Sequence, residues 1–413
     1  MDVLRFITAG SVDDGKSTLI GRLLFDSNSV STDILEAIEQ QTKNTGNGKI
    51  DLSLLTDGLR AEREQNITID VAYKYFTTKK RKFIIADTPG HAEYTSNMFT
   101  GASTANLAII LIDVKQGIVE QTRRHTYIAS LVGIPYLVVC INKMDLVSFS
   151  EQKFNEVVES FKKLVEKLNI KEITFIPVSA AFGDNVVSNS KNTSWYKGKN
   201  LLEHLEEVEV EKGINTELPR FQVQYVINAP TKQYPDYRGY AGKIASGTFK
   251  KGDKVIAFPS GIESEISFIE INNKAVEKAS SQQSIVIHLK DFIAIDRGNT
   301  IALKNKLPIL SQDIEATICW MDFTALKSGK KLLLQHYSNR VKVEVKEIKL
   351  KINLNTLQFE NLNKDKVDLN EIVTVNLKTA ELIAFDTYQS NRNTGGFILI
   401  DENTNNTVAA GFF

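Results

Sequence analysis

Short, unbroken apolar runs recur through the N-terminal half of the chain, at residues 82–86, 107–112, 136–141 and 173–178. Runs of this length, with no polar alternation, suit strands covered on both faces, as in a parallel sheet flanked by helices. Residues 3–9 read as a further strand and residues 18–24 as the start of a helix. An amphipathic, charged helix is expected over 151–168, ahead of the last run. Residues 69–77 alternate with period two and lead into Thr78-Lys79-Lys80-Arg81. They are expected to pair as a hairpin with the strand carrying Phe83, giving one antiparallel edge. The pattern predicts an α/β domain with a doubly wound, mostly parallel sheet.

Helical periodicity fades near residues 213–219. Short strands then recur between turn signals at Gly239, Gly242, Gly247, Lys251-Gly252-Asp253, Ser260-Gly261 and Arg297-Gly298-Asn299. That spacing predicts an all-β barrel to about residue 306. Alternation returns at 341–345 and 397–400, predicting a second barrel. A chain of 413 residues exceeds one ordinary core. The expected domains are residues 1–215, the α/β domain, then 216–306 and 307–413, the two barrels. The stretch from Asp26 to Glu64, with helical runs such as 34–38, is longer than the α/β domain needs. It is read as a mobile insertion that contacts a partner.

Composition narrows the partners. Lys+Arg and Asp+Glu both total 50, so the formal net charge is zero. Nucleic-acid binding rests mainly on phosphate neutralisation, so no nucleic-acid partner is expected. The two cysteines, Cys140 and Cys319, lie in apolar runs without metal-ligand spacing. They read as buried small hydrophobes of a reducing, cytoplasmic setting. No cationic leader pattern is present, and no run reaches the roughly 18 apolar residues of a membrane span, so no membrane association is expected.

The candidate chemistry begins at Gly10-Ser11-Val12-Asp13-Asp14-Gly15-Lys16-Ser17. This run fits G-x-x-x-x-G-K-[ST], between a strand and a helix as that phosphate-binding loop requires. With Thr18, its residues are expected to surround a polyphosphate with backbone N–H groups at a helix N-terminus. Lys16 places a charge on the β/γ-phosphates, and the Ser17 hydroxyl is positioned for Mg²⁺. Asp87-Thr88-Pro89-Gly90-His91 ends a buried strand. Asp87 there can reach Mg²⁺ through water, and Gly90 can bring its N–H to a γ-phosphate. Asn142-Lys143-Met144-Asp145 ends another strand. The Asp145 carboxylate matches the N1–H and 2-amino donors of guanine, a pair that adenine lacks. Buried polar sites of this kind discriminate by about 10⁴-fold or more. Asn142 and Lys143 are expected to tie this loop to the phosphate loop and cover the ring. Ser179-Ala180-Ala181 can offer a backbone N–H to guanine O6. Thr68, in Asn66-Ile67-Thr68-Ile69-Asp70, can place its hydroxyl on Mg²⁺ and its N–H on the γ-phosphate. The expected ligands are GTP or GDP with Mg²⁺.

These elements together resemble the GTPases related to translation factors. The chain resembles one branch from end to end, the large GTP-binding subunit of bacterial sulfate adenylyltransferase. Beyond the loops above, Ala61-Glu62-Arg63-Glu64-Gln65, Asn97-Met98, Gln121-Thr122-Arg123-Arg124-His125 and Gly183-Asp184-Asn185 carry the likeness. So do Trp195-Tyr196, Arg238-Gly239-Tyr240, Trp320-Met321 and Asn391-Arg392-Asn393-Thr394-Gly395. Asp14 stands where elongation factors usually carry His.

The resemblance implies a GTPase domain followed by two barrels. It implies a heteromer with a small subunit of ATP pyrophosphatase-type fold. That subunit carries ATP + sulfate → adenosine 5′-phosphosulfate + diphosphate, an uphill reaction driven by GTP hydrolysis on this chain. It also implies that His91 orients the attacking water, with Lys16 and Thr68 completing the catalytic set. Val12 and Ile67 resemble a hydrophobic gate on that histidine, and Asp13 a holder of a monovalent cation. Ending at Gly411-Phe412-Phe413, the chain is expected to lack the appended adenylylsulfate kinase of bifunctional relatives. Asn66 departs from the family's usual Gly, and a tuned first switch is expected. Of the other histidines, His125 is expected on a solvated or interface face of a helix. Two other classes fit the same motifs: an elongation factor-like GTPase delivering aminoacyl-tRNA, and a GTP-gated scaffold with negligible turnover.

Overall fold

A computed structural model describes residues 2–27, 29–30, 52–55, 70–90, 95–166, 168–210, 217–228, 237–353, 358–361 and 366–413. Asn66, Ile67, Thr68 and His91 lie outside the described residues, as does most of the expected insertion. The chain forms two compact units, one built on Met1–Lys212 and the other on Gly213–Asn353 with Gln358–Phe413. No helix among the described residues is long and apolar enough to cross a membrane.

The first unit is a six-stranded sheet. Its strands are β1 (Val3–Ala9), β2 (Ala72–Thr77), β3 (Lys82–Asp87), β4 (Leu107–Asp113), β5 (Tyr136–Asn142) and β6 (Glu172–Pro177), in the spatial order β2-β3-β1-β4-β5-β6. The pairs β1/β3, β1/β4, β4/β5 and β5/β6 run parallel. The β2/β3 hairpin supplies the antiparallel edge. Every position of β4 and β5 is buried, which is why both read as unbroken apolar runs. Helices α1 (Lys16–Asp26), α2 (Thr95–Ala102), α3 (Glu120–Leu131), α4 (Glu151–Val165) and α5 (Leu201–Glu207) are its α-helices among the described residues. In α4 the Ser150 hydroxyl caps the start by accepting the Lys153 N–H. Its buried stripe of Phe154, Val157, Val158, Phe161 and Val165 follows the helical period. Parallel strands deliver their C-terminal ends to one edge, where the loops after β1, β3, β4, β5 and β6 gather.

The second unit holds two closed rings of six strands. The first ring runs Arg220–Asn228, Arg238–Ser246, Ser284–Leu289, Ile262–Ile271, Lys254–Phe258, Thr300–Leu303 and back to the start. The second runs Ile309–Trp320, Ile372–Phe385, Asn339–Asn353, Lys331–His336, Gly396–Ile400, Thr407–Phe412 and closes likewise. Closure leaves no open edge in either ring. Inward-facing Phe221, Tyr240, Phe249 and Ile301 fill one, and Trp320, Leu334, Val375 and Leu399 the other.

The two barrels share a buried polar seam. Arg220 donates to Asp386 through Nε at 3.0 Å and Nη2 at 2.7 Å, and both side chains are at most 5% exposed. The remaining guanidinium nitrogen reaches the carbonyls of Pro219 and Lys306 at 2.9 and 2.7 Å. Asp386 also accepts from the Thr394 hydroxyl and from Asn391. Asn391 donates to Ser246 Oγ at 2.8 Å, and Asn393 to the Ala245 carbonyl at 2.9 Å. Ile256, Phe258, Ala302 and Ala384 form an apolar patch across the same seam. The Asn391–Gly395 stretch, noted from the sequence only as a likeness, therefore joins one barrel to the other.

Removing one partner of a buried ion pair strands the other charge, at a cost of about 3–5 kcal/mol. Asp386→Ala is expected to lower the urea midpoint of the barrel unit by an amount of that order. The double replacement Arg220→Met with Asp386→Leu should recover most of the loss. Equilibrium unfolding of the three proteins, followed by barrel tryptophan fluorescence, checks this.

Candidate functional site

The loop between β1 and α1 curls through two left-handed positions, Asp13 at φ 65° and Gly15 at φ 91°. Gly15 is the N-cap of α1. A Cβ there would stand 2.5 Å from Asn142 Nδ2, so only glycine fits both the angle and the space. Lys16 is 8% exposed, and its ammonium donates to the carbonyls of Gly10 at 3.0 Å and Ser11 at 2.9 Å. Burial lowers its pKa, and the carboxylates of Asp87, Asp14 and Asp13 oppose that. Asp14 turns its carboxylate back to accept the Ser11 N–H at 2.5 Å. Burial raises the Asp14 pKa, opposed by that N–H and by Lys16.

Asp87 ends β3 at 2% exposure and accepts from Thr8 Oγ1 at 3.0 Å. Thr88 donates its hydroxyl to the Thr8 carbonyl at 2.7 Å, fixing this loop to β1. At Gly90 a Cβ would lie 2.7 Å from Lys16 Nζ and 3.0 Å from the Gly10 carbonyl. The Asp87–Gly90 loop thus lies directly on the phosphate loop.

The loops after β5 and β6 are joined to the phosphate loop by one side chain. Asn142 Nδ2 donates to the Asp14 carbonyl at 2.7 Å, while its Oδ1 accepts the Ala180 N–H at 3.0 Å. Asp145, in a short turn at Met144–Val147, accepts from Ser179 Oγ at 2.6 Å. Lys143, at φ 61°, pairs with Asp113 at 2.9 Å. Burial works to raise the Asp113 pKa, yet the Lys143 ammonium and the Lys115 N–H hold it below the usual carboxylate range. Arg22 of α1 reaches the Ala180 and Ala181 carbonyls at 3.3 and 2.7 Å.

The fold therefore brings Gly10 to Thr18, Asp87, Gly90, Asn142, Lys143, Asp145, Ser179 and Ala180 to one edge of the sheet. Thr68 and His91 are outside the described residues. The Ala180 N–H, aimed from sequence at guanine O6, is given to Asn142, so Ala180 helps hold the base loop. His125 is not on a solvated face; it is 2% exposed, and burial with nearby Lys16 and Arg124 drives its pKa down to about 3. Its neighbours on α3 at helical spacing, Thr122, Thr126 and Ala129, are buried with it. Sequence reading missed Thr8, Arg22 and Asp113. Only Asp113 carried a local signal, a carboxylate ending an otherwise apolar run.

The donor set suits a magnesium ion. Ser17 offers a hydroxyl in the first turn of α1, and Asp87 a carboxylate oriented by Thr8. Hard oxygen donors in small number, completed by water and substrate phosphates, are what Mg²⁺ takes. No cluster of three or more His, Cys, Asp or Glu that would cage a metal alone occurs among the described residues.

A family model described as the elongation factor Tu GTP binding domain matches residues 1–220. Another, described as GTP-eEF1A C-terminal domain-like, matches residues 313–413. With the loop geometry above, these define a P-loop GTP-binding domain on a barrel-bearing chain. Among curated relatives, sulfate adenylyltransferase subunit 1 of Bacteroides fragilis is 49% identical over 99% of this chain and 85% of its own. The subunit 1 of Teredinibacter turnerae is 49% identical over 99% of this chain and 87% of its own. The bifunctional enzyme CysN/CysC of Mycobacterium tuberculosis is 47% identical over 99% of this chain and 67% of its own. The chain belongs to the sulfate adenylyltransferase subunit 1 family.

With Ser179 holding one Asp145 oxygen, the carboxylate is set in one orientation. Asp145→Asn should weaken GTP binding by about two orders of magnitude or more, as expected when a buried donor pair loses its acceptor. It should favour xanthosine triphosphate, whose 2-oxo group accepts from the new amide. Competition titration with the two nucleotides checks both outcomes.

Proposed function

We propose that this chain is the GTP-hydrolysing regulatory subunit of a heteromeric sulfate adenylyltransferase. Its partner is a small subunit of ATP pyrophosphatase type, which converts ATP and sulfate to adenosine 5′-phosphosulfate and diphosphate in sulfate assimilation. The observation that supports the reading is the Asn142 bridge between the Asp14 carbonyl and the Ala180 N–H, next to which Ser179 orients Asp145. The subunit 1 relatives, matching nearly the whole chain, support the assignment to sulfate activation. The three proposed domains are residues 1–215, 216–306 and 307–413, working in a cytoplasmic setting without nucleic acid.

In this reading Gly10 to Thr18 and Gly90 hold the phosphates with backbone N–H groups. Asn142, Lys143, Asp145, Ser179 and Ala180 form the base site. Lys16 neutralises charge that builds on the β/γ-bridging oxygen as the bond to the γ-phosphorus breaks. His91 orients the water that attacks this phosphorus in line. Ser17, Thr68 and Asp87 would hold Mg²⁺, which would supply Lewis-acid stabilisation of the phosphate charge. The products are GDP and inorganic phosphate, and their formation drives the uphill adenylyl transfer on the partner.

The test mixes this chain with its small subunit, ATP, sulfate and Mg²⁺ and follows diphosphate release. GTP should raise the release well above the level reached with a non-hydrolysable analogue. His91→Ala should keep GTP affinity but lose about 10²-fold or more in turnover. Equal diphosphate release with GTP and the analogue would defeat the proposed coupling.

A further inference from the structure

One face of the first unit's sheet presents exposed aromatic rings at its antiparallel edge. Alternation along β1, β2 and β3 sends Leu4, Phe6, Phe76, Phe83 and Ile85 into the core. The opposite face carries Tyr73, Tyr75, Ile84, Arg5 and Lys82. Register aligns Tyr75, Ile84 and Arg5 in one row across the three strands, and Tyr73 beside Ala86 in the next. Tyr73 is 47% exposed and Tyr75 67%. A groove of about 200 Å³ lies between these tyrosines, Ile84, Ala86 and the end of α2 at Gly101, with Arg5 at its rim.

Among the described residues, β2 is the terminal strand of the sheet. A terminal strand bearing two exposed aromatic rings is a template for another chain, and proteins normally cover or charge such edges. The charge here has one sign. Arg5 and Lys82 have no carboxylate partner among the described residues. In the adjoining turn, by contrast, Lys80 pairs with Glu206 and Glu207 and Arg81 with Asp2. The groove also abuts the nucleotide site. Ala86 directly precedes Asp87, and a Cβ on Gly101 would touch Val71 at 3.3 Å and Thr88 at 3.4 Å.

We propose that this face docks an acidic segment of the small adenylyl-transferring subunit, lying along β2 with an apolar side chain seated between Tyr73 and Tyr75. The proposal rests on the function read above. An extended segment added to a free edge gains main-chain hydrogen bonds, while a pocket for alternate side chains supplies selectivity. Arg5 at the rim and Lys82 further along the same face, neither paired with a carboxylate among the described residues, give charge complementarity to carboxylates and speed association. Ala86 in the groove lining directly precedes Asp87, so the docked segment lies one residue along β3 from the nucleotide loop.

Calorimetric titration of the small subunit into the full chain, loaded with a GTP analogue, tests this. Three variants are compared with the parent: Tyr75→Ala, Tyr75→Phe, and Arg5→Glu combined with Lys82→Glu. Binding of a fluorescent GDP analogue reports the fold. Tyr75→Ala and the charge reversal should each weaken association at least tenfold with GDP binding unchanged, while Tyr75→Phe keeps parental affinity. Parental affinity in the charge reversal and in Tyr75→Ala overturns the docking face. So does a parental dimer that Tyr75→Ala dissolves in sedimentation, which would make a second copy the occupant. Loss of GDP binding in all three variants overturns it too, assigning the face to the domain's own folding. Failure of the parent chain itself to bind the small subunit would defeat the functional reading, and the docking with it.

Discussion

The nucleotide edge depends on one amide side chain. Asn142 presents a donor to the Asp14 carbonyl and an acceptor to the Ala180 N–H. Three loops separated widely in sequence are thereby held in one register. The arrangement also dictates its neighbours. Gly15 cannot carry a Cβ because Asn142 occupies that space, and Arg22 holds the far loop from the other side through the Ala180 and Ala181 carbonyls. Each of these bonds is modest in net worth, but a buried donor or acceptor left without its partner costs about 1–3 kcal/mol. The site is therefore specified less by attraction than by the penalty for leaving any one position unmatched.

A second layer of charge lies beneath the first. Asp14 and Asp87 are nearly buried beside Lys16, and the nearly buried Asp113, beside Asp14, is balanced by Lys143. Burial pushes the Asp14 pKa upward and the lysine's downward, and their mutual attraction opposes both shifts. A neutral total charge gives no hint of such concentration, because composition averages over the whole surface while the interior sorts charge by position.

Elements whose physics is local were legible in the sequence. Apolar runs gave β3 to β6, period-two alternation gave the β2 hairpin, and glycine spacing gave the barrels. Helix α4 ends at Val165, three residues short of the expected 168. What escaped notice was pairing across distance. The partners of Arg22 lie 158 and 159 residues away, and those of Arg220 in the second barrel 166 away. Nothing near either arginine announces its acceptor. His125 misled for another reason. The buried residues of α3 are Thr122, His125, Thr126, Ile128 and Ala129, so three of the five are polar and the stripe lacks the hydrophobicity that usually marks one.

The seam around Arg220 bears on how such chains can be recombined. A guanidinium in one barrel is satisfied by a carboxylate of the other barrel and by a backbone carbonyl of the connector at Lys306. Neither barrel is a self-sufficient cassette. A chimaera between relatives that exchanged one of them would import half of a lock. Viable shuffling must carry Arg220, Ser246, Asp386 and Asn391 as a single inheritance.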